Sequence, residues 1–327
     1  MIDPKALLNV SRRVLISSPF IPPEFIAAYG FMPSRVAAQA STDCHQGRCA
    51  VAAGIVQGVA RTESTDLAVI ATSCDQQRRS GDDAHIPVFH FNLPATWNSV
   101  TAARIFRDEI ERLGRFLVRH GGVAPDLASL ASHALDHDER RRRLRAGCAL
   151  LPSRAAAEVL ADYAEHGRIP AADPVPLARD DSVPVALLGG PLPRASFGLH
   201  DLIISAGARV ALDGTEHGER GLPAPFDRRR VAEDPLGELV NAYFLSIPDA
   251  FRRPDRLLYD WLEQGVAERG LRAVVVRCDP WCDLWRAQVP RLKDWNRLPV
   301  LLIEAGEDRA SLPRLRTRIE ALVEMLR

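Results

Sequence analysis

Lysine is almost absent from this chain of 327 residues, since Lys5 and Lys293 are the only two. Neither follows a glycine-rich loop, so the sequence lacks the phosphate-binding loop of many ATP-hydrolysing proteins. The same scarcity argues against a catalytic lysine that forms a Schiff base. The motifs G-x-G-x-x-G, H-E-x-x-H and G-x-S-x-G are missing too, which argues against common dinucleotide-binding, zinc-protease and serine-hydrolase sites.

Long apolar segments are also missing. No apolar run approaches the roughly 18 residues that a membrane span needs. The first five residues lack the charged and apolar pattern of a secretory signal, so we expect a cytoplasmic protein that does not bind membranes. The 42 basic and 42 acidic residues cancel, which argues against nucleic acid as the main partner.

The composition that remains is that of a globular protein, with 46% hydrophobic and 26% charged residues. The length indicates about two domains. Short β-branched runs alternate with longer helical patterns, which is typical of an α/β protein with parallel sheets. The predicted strands are 14–17, 67–72, 88–91, 183–188, 209–212, 273–276 and 300–303. The main predicted helices begin near 23 and cover 47–60, 98–120, 126–147, 153–166, 196–206, 235–246, 254–269 and 311–326.

These elements divide the chain into three parts. We expect an N-terminal α/β lobe at 1–97, a helical segment with a linker at 98–182, and a C-terminal α/β lobe at 183–327. Open parallel sheets bind ligands beyond the carboxyl ends of their strands. Two such edges that face each other would form a cleft between the lobes, which is the predicted site.

The cysteines supply the candidate chemistry. Cys74-Asp75 and Cys278-Asp279 each follow a buried strand directly, so each lobe presents a thiol at a carboxyl edge. Cys44 precedes the helix predicted from residue 47, where free N–H groups favour a thiolate. Three thiolates are typical ligands of an iron–sulfur cluster or of zinc.

Alternatives remain open for these thiols. Any one of them could be core packing, because cysteine is among the most buried residue types, and we interpret the isolated Cys148 in this way. A structural zinc site could use four thiols, Cys44, Cys49, Cys278 and Cys282. Their C-x4-C and C-x3-C spacings miss the usual C-x2-C, however, and this site leaves Cys74 unexplained.

Other polar and flexible positions are weaker candidates. Ser18 follows the first strand, where its hydroxyl could contact a ligand or cap a loop. Gly189 and Gly190 follow the strand at 183–188 and could let the backbone approach a substrate, or could form a turn. His90 and His217 could protonate a leaving hydroxide, although structural roles explain them as well.

Several segments, in order, resemble one known family. They are Ile-Pro-Pro-Glu-Phe-Ile-Ala-Ala-Tyr-Gly-Phe-Met-Pro at 21–33, Cys-His-Gln-Gly-Arg at 44–48, the strand that ends in Cys-Asp at 66–75, Arg-Cys-Asp-Pro at 277–280, and the closing strand and helix at 298–304 and 315–321. Together they are similar to the cluster-bearing subunits of the 2-hydroxyacyl-CoA dehydratase / benzoyl-CoA reductase family.

The resemblance implies a specific site and fold. Two Rossmann-like, flavodoxin-like lobes would hold a [4Fe-4S] cluster in the cleft between them, on Cys44, Cys74 and Cys278. Cys49 and Cys282 would lie beside the ligand positions, in a supporting or packing role.

The resemblance also implies a reaction. A CoA thioester would take up one electron to form a ketyl radical, and then either lose its hydroxyl group to give an enoyl-CoA or undergo ring reduction. The implied partners are the acyl-CoA substrate, a separate ATP-dependent iron–sulfur activator, and a paralogous subunit or a second copy in a dimer. The alternatives are a related cluster protein that reduces small molecules without CoA, a non-catalytic partner subunit, and a structural zinc protein.

Overall fold

The computed structural model describes residues 12–38, 49–63, 66–169, 181–295, 297–304 and 312–327. The chain divides into two compact units, each built from several segments. The first unit consists of Met1–Val36, Ile55–Arg141 and Ala224–Ser246. The second unit consists of Ala37–Gly54, Arg142–Pro223 and Ile247–Arg327. The domain boundaries predicted after 97 and 182 stay predictions.

Each unit contains one four-stranded parallel sheet. The strands of the first sheet are β1 (Arg13–Ile16), β2 (Met32–Arg35), β3 (Leu67–Ala71) and β4 (Val88–Phe91), in the order β2-β1-β3-β4. The strands of the second sheet are β5 (Val183–Gly189), β6 (Ala208–Gly214), β7 (Ala273–Cys278) and β8 (Val300–Glu304), in the order β6-β5-β7-β8. The predicted α/β class with two Rossmann-like lobes is confirmed.

Helices connect and flank these strands. They are α1 (Pro23–Ala28), α2 (Ala50–Ala60), α3 (Asp75–Arg79), α4 (Val100–Arg119), α5 (Leu127–Cys148), α6 (Ser153–His166), α7 (Gly198–Ser205), α8 (Arg228–Glu233), α9 (Pro235–Leu239), α10 (Arg256–Arg269), α11 (Asp283–Trp295) and α12 (Leu312–Leu326). Within the described ranges, no helix is long and apolar enough to cross a membrane.

The sequence analysis did not predict strand β2 or the helices α3, α8 and α11. The four residues of β2, Met-Pro-Ser-Arg, show no β-branched or alternating pattern, and they include Pro33. A proline lacks the N–H that a central strand must donate, and it is tolerated here because β2 lies at the edge of its sheet. Helix α11 contains Pro290, a residue that obscures a helical pattern.

The second sheet is covered on both faces. Because successive strand side chains point in opposite directions, Val275 packs into one apolar cluster with Val185 and Leu187. Its neighbours Val274 and Val276 pack into another cluster with Leu188. Cys278 continues this second set and lies among its buried side chains. The core of the second sheet therefore reaches the position where the predicted thiol ligand stands.

Candidate functional site

A polar group occupies the carboxyl edge of the first sheet. The hydroxyl of Ser17, directly after β1, accepts an N–H hydrogen bond from Ala71 at 2.9 Å, which ties it to the end of β3. The hydroxyls of Ser17 and Ser73 both donate to the Oε1 atom of Gln77, at 3.5 and 3.3 Å. Gln77 is buried and joins the loops that follow β1 and β3.

Cys74 begins helix α3 within this group. Its thiol is the N-cap of the helix, and it accepts an N–H hydrogen bond from Gln77 at 3.4 Å. The side chain is half-buried, and the contact with an N–H donor suits a sulfur that carries negative charge. The strand–cysteine–helix arrangement thus presents a partly accessible sulfur at the sheet edge.

Cys278 occupies the carboxyl edge of the second sheet. It is the last residue of β7 and is only 1% exposed. Its thiol contacts the carbonyl oxygens of Asp279 and Cys282 at 3.4 and 3.7 Å. Burial is the main cause that raises the pKa of Cys278 to about 11. The thiol is therefore neutral by itself, and a bound metal would have to deprotonate it.

The other described cysteines occupy separate positions. Cys282 lies beside Cys278 and is half-buried. Cys49 is buried, and its thiol accepts an N–H hydrogen bond from Ala52 at 3.3 Å. Cys148 ends α5, is half-buried rather than fully buried, and has a pKa raised to about 12, mainly by burial. The supporting or packing roles of Cys49 and Cys282 stay predictions.

A glycine turn follows β5 next to Cys278. Gly189 pairs with Arg277 in the sheet and has a φ of +155°. A Cβ atom at Gly189 would lie 2.4 Å from the carbonyl oxygen of Arg277, so only glycine fits there. A Cβ atom at Gly190 would lie 3.8 Å from Trp285, which is an ordinary contact distance.

The side chain of Arg220 also contacts this turn, and the sequence analysis did not identify this residue. Its Nη2 atom donates to the carbonyl oxygen of Gly189 at 3.0 Å, and its Nε atom donates to that of Gly214 at 2.7 Å. Its Nη1 atom donates to the carbonyl oxygen of Pro248 at 2.9 Å and to the carboxylate of Asp249. The side chain of Arg220 is completely buried.

The three weak proton-transfer candidates occupy different places in the fold. Ser18 is buried and accepts an N–H hydrogen bond from Phe20 at 3.4 Å, as a loop cap does. His90 lies on β4 and lines an open polar cavity of about 450 Å³ together with Arg78 and Asn92. His217 is buried in the loop after β6. The catalytic roles of all three residues stay predictions.

The described residues contain no group of three or more His, Cys, Asp or Glu side chains that could hold a metal ion. Cys44 lies outside the described residues, so the predicted set of Cys44, Cys74 and Cys278 is not tested by this result. Cys49, Cys278 and Cys282, which are three of the four thiols of the zinc alternative, do not form such a group.

A comparison with known families shows which family the chain belongs to. The family described as "2-hydroxyglutaryl-CoA dehydratase, D-component" matches residues 19–326. The chain belongs to this dehydratase family. The predicted resemblance is therefore confirmed at the level of the family. A comparison with curated proteins finds no match.

The match with the dehydratase family covers nearly the whole chain and includes all six cysteines. It includes both sheet edges described above, apart from Ser17 and Ser18, which precede residue 19. Gln77 and Arg220 also fall inside it. The sequence could have indicated Gln77, because it stands three residues after Cys74 at the start of a helix. It could not have indicated Arg220, because the hydrogen-bond partners of Arg220 are up to 31 residues away in sequence.

Proposed function

We propose that the chain is the [4Fe-4S] subunit of a 2-hydroxyacyl-CoA dehydratase or a benzoyl-CoA reductase-like enzyme. The observation that carries the proposal is the match with the D-component family from residue 19 to residue 326. The family's printed description names a CoA thioester with a 2-hydroxyl group, which is a substrate for the loss of water.

The donors in the described part of the chain fit an iron–sulfur cluster. Cys74 and Cys278 are thiols that end or follow buried strands. Thiolates are the ligands that iron–sulfur clusters require. Together with Cys44, which lies outside the described residues, they would hold the cluster. The chemistry that a bound cluster would supply is the one-electron reduction of the thioester carbonyl to a ketyl radical on the substrate.

The chain's own residues have three tasks in this proposal. The thiols bind the cluster, and the buried surroundings of Cys278 exclude water from that ligand. The Gly189–Gly190 turn binds the acyl-CoA. Ser18, His90 and His217 are the candidates to hold or move the proton that the leaving hydroxide needs.

The proposed partners follow from the same chemistry. The chain has two lysines and no phosphate-binding loop, so we assign ATP hydrolysis to a separate iron–sulfur activator that delivers the electron. A paralogous subunit or a second copy completes a dimer. The reaction is dehydration to an enoyl-CoA, with ring reduction as the alternative outcome.

Anaerobic purification with analysis of iron, sulfide and zinc tests the cluster. We expect about four iron and four sulfide atoms per chain, as a [4Fe-4S] centre requires. Cys74→Ala should lose them, whereas the matched control Cys148→Ala should keep them. Zinc, or no metal, in protein kept anaerobic throughout would refute the proposed mechanism.

Turnover is tested next with the loaded protein, an activator and ATP. 2-Hydroxyglutaryl-CoA is the first substrate to supply, and formation of the enoyl-CoA is the readout. An intact cluster without binding of any CoA thioester would favour the alternative that the protein reduces small molecules without CoA. An intact cluster with thioester binding but no turnover in any pairing would favour a non-catalytic partner subunit.

A further inference from the structure

Arg220 is a buried cation of the second unit that makes four described hydrogen bonds. Its guanidinium donates to the carbonyl oxygens of Gly189, Gly214 and Pro248 and to the carboxylate of Asp249. It also stacks on Trp285, with 5.0 Å between Cζ and the ring centroid. A buried guanidinium is costly unless its donors are satisfied, and here four hydrogen bonds to three separate segments satisfy it.

These contacts fix the carboxyl ends of two neighbouring strands. Gly189 ends β5 and Gly214 ends β6, and one side chain holds both carbonyl groups. Gly189 also pairs with Arg277, the residue directly before Cys278. The turn therefore has a fixed place between Arg220 on one side and the strand that carries the proposed ligand on the other.

The role of Arg220 is geometric rather than electrostatic. Its positive charge is paired with Asp249, whose carboxylate lies within ion-pair distance and is also largely buried. The ion pair is neutral as a whole, so it exerts little field beyond its own contacts. The main effect of Arg220 is therefore on the position of the backbone at Gly189 and Gly214. A planar guanidinium with several donors in fixed directions holds such carbonyl groups in place.

We propose that Arg220 is a positioning residue, which holds the Gly189–Gly190 turn in the place where it binds an acyl-CoA thioester. The proposal rests on the function proposed above and adds the residue that sets the geometry of its substrate contact. Arg220 does not touch the ligand. It acts through the carbonyl group of Gly189.

Arg269 provides a matched control. Its guanidinium donates to both carboxylate oxygens of Glu219, at 2.8 and 2.7 Å, and to the carbonyl oxygen of Ala211 at 2.6 Å. It thus braces the segment next to Arg220 without any hydrogen bond to Gly189. A variant of Arg269 reports the effect of a general loss of stability in this segment.

The experiment compares Arg220→Lys, Arg269→Lys and Gly190→Ala in anaerobically purified, cluster-loaded protein. Lysine keeps the charge of Arg220, but its single ammonium group does not reach all four acceptors. The first readout is hydrogen exchange of the amides at 188–192 without ligand. The second is the Kd of 2-hydroxyglutaryl-CoA by calorimetry, with melting temperature and iron content as measures of the fold.

We expect Arg220→Lys to speed up exchange at 188–192 and to raise the Kd about tenfold or more, since small displacements of a contact are costly. Arg269→Lys should lower the melting temperature but leave the exchange at 188–192 and the Kd unchanged. Gly190→Ala should keep the melting temperature, because its Cβ has room beside Trp285, and should raise the Kd. This variant keeps the proposal falsifiable if Arg220→Lys fails to fold, because an unchanged Kd in Gly190→Ala would show that the turn does not bind the thioester.

Three results would overturn the inference. The first is an unchanged Kd in Arg220→Lys or in Gly190→Ala while the wild-type protein binds the thioester. The second is a rise of the Kd in Arg269→Lys equal to that in Arg220→Lys, which would show that Arg220 only stabilises this part of the fold. The third is a wild-type protein that does not bind the thioester, which refutes the substrate of the proposed function and the positioning role with it. In that last case the exchange data still show whether Arg220 holds the turn.

Discussion

The two sheets carry the same Cys-Asp pair at their carboxyl edges, in different surroundings. Cys74 is half-buried and accepts an N–H hydrogen bond in a group of serine and glutamine side chains. Cys278 is 1% exposed and lies in an apolar cluster that includes Trp285. The same topology therefore produces one polar and accessible thiol and one that is buried and neutral.

The residues after each pair cause this difference. Cys74 is followed by Asp-Gln-Gln-Arg-Arg, which forms the short polar helix α3. Cys278 is followed by Asp-Pro-Trp-Cys and then by helix α11, which packs Trp285 and Leu292 against the same cluster. A strand end thus specifies where a thiol stands, whereas the residues that follow it specify how exposed the thiol is.

A buried ion pair in the first unit offers the largest expected effect. Arg141 contacts the Glu24 carboxylate at 3.2 Å, and Tyr243 donates to the same carboxylate at 2.8 Å. Both charged side chains are almost fully buried. Arg141→Met should lower the free energy of unfolding by about 3–5 kcal/mol, because it leaves a buried carboxylate without its cation.

Chemical denaturation measures this loss, and Arg107→Met is the control. Arg107 pairs with Asp234 at 2.7 Å, but both side chains are substantially exposed. Removal of that pair should cost about 0–1 kcal/mol. Equal losses in the two variants would show that burial does not set the strength of these ion pairs.

The glycine turn of the second unit should give the next largest effect. Gly189→Ala introduces a Cβ 2.4 Å from the carbonyl oxygen of Arg277 at a φ of +155°. We expect a loss of about 2–4 kcal/mol in the free energy of unfolding. Gly190→Ala, measured beside it, should change this free energy by less than about 1 kcal/mol. If the two variants are equally stable, the strand end is not held as tightly as the contacts indicate.

Alkylation of metal-free protein compares the two thiols directly. Iodoacetamide should modify Cys74 at least about tenfold faster than Cys278, because a buried thiol reacts only when the fold opens. Mass spectrometry of the separate peptides gives both rates. In denaturant the rates should converge. Equal rates in the folded protein would contradict the burial of Cys278.

The buried histidines should give the smallest effect, which appears only with pH. His200 is 0% exposed, and burial is the main cause that lowers its pKa from the ordinary value. Neither ring nitrogen of His200 has a hydrogen-bond partner among the described residues. The unfolded chain binds a proton near pH 6.5 while folded His200 resists it, so stability should fall as the pH drops below about 6.5.

His200→Leu should remove this part of the acid sensitivity, up to about 1.4 kcal/mol per pH unit between the folded and the unfolded pKa. His137→Leu in the first unit should have a smaller effect. Burial lowers the pKa of His137 too, but the nearby Glu24 carboxylate opposes the shift. Denaturation curves at pH 5 to 8 check both variants. A parent protein and a His200→Leu variant with parallel pH profiles would contradict the assignment.

Much of the fold could be predicted because its signals are local. Seven strands stand near their predicted positions, since a buried parallel strand is a continuous apolar run between breakers. The same is true of α4, α5 and α12, whose predicted ends lie within two residues of the observed ones. β2 was not predicted, because an edge strand needs no continuous apolar run. Its Pro33 also argues against a strand in the middle of a sheet.

The sequence by itself determined the class of the fold, the family, and the places of Cys74 and Cys278 at strand ends. Each of these depends on short local patterns, and the family depends also on their order along the chain. Only the tertiary structure decided which thiol is buried and which cation holds the turn beside it. Arg220 reaches Gly189 across 31 residues and Pro248 across 28. Such contacts form only when separate segments pack together, because a buried guanidinium must donate to whichever carbonyl groups lie near it. No local sequence pattern predicts these contacts.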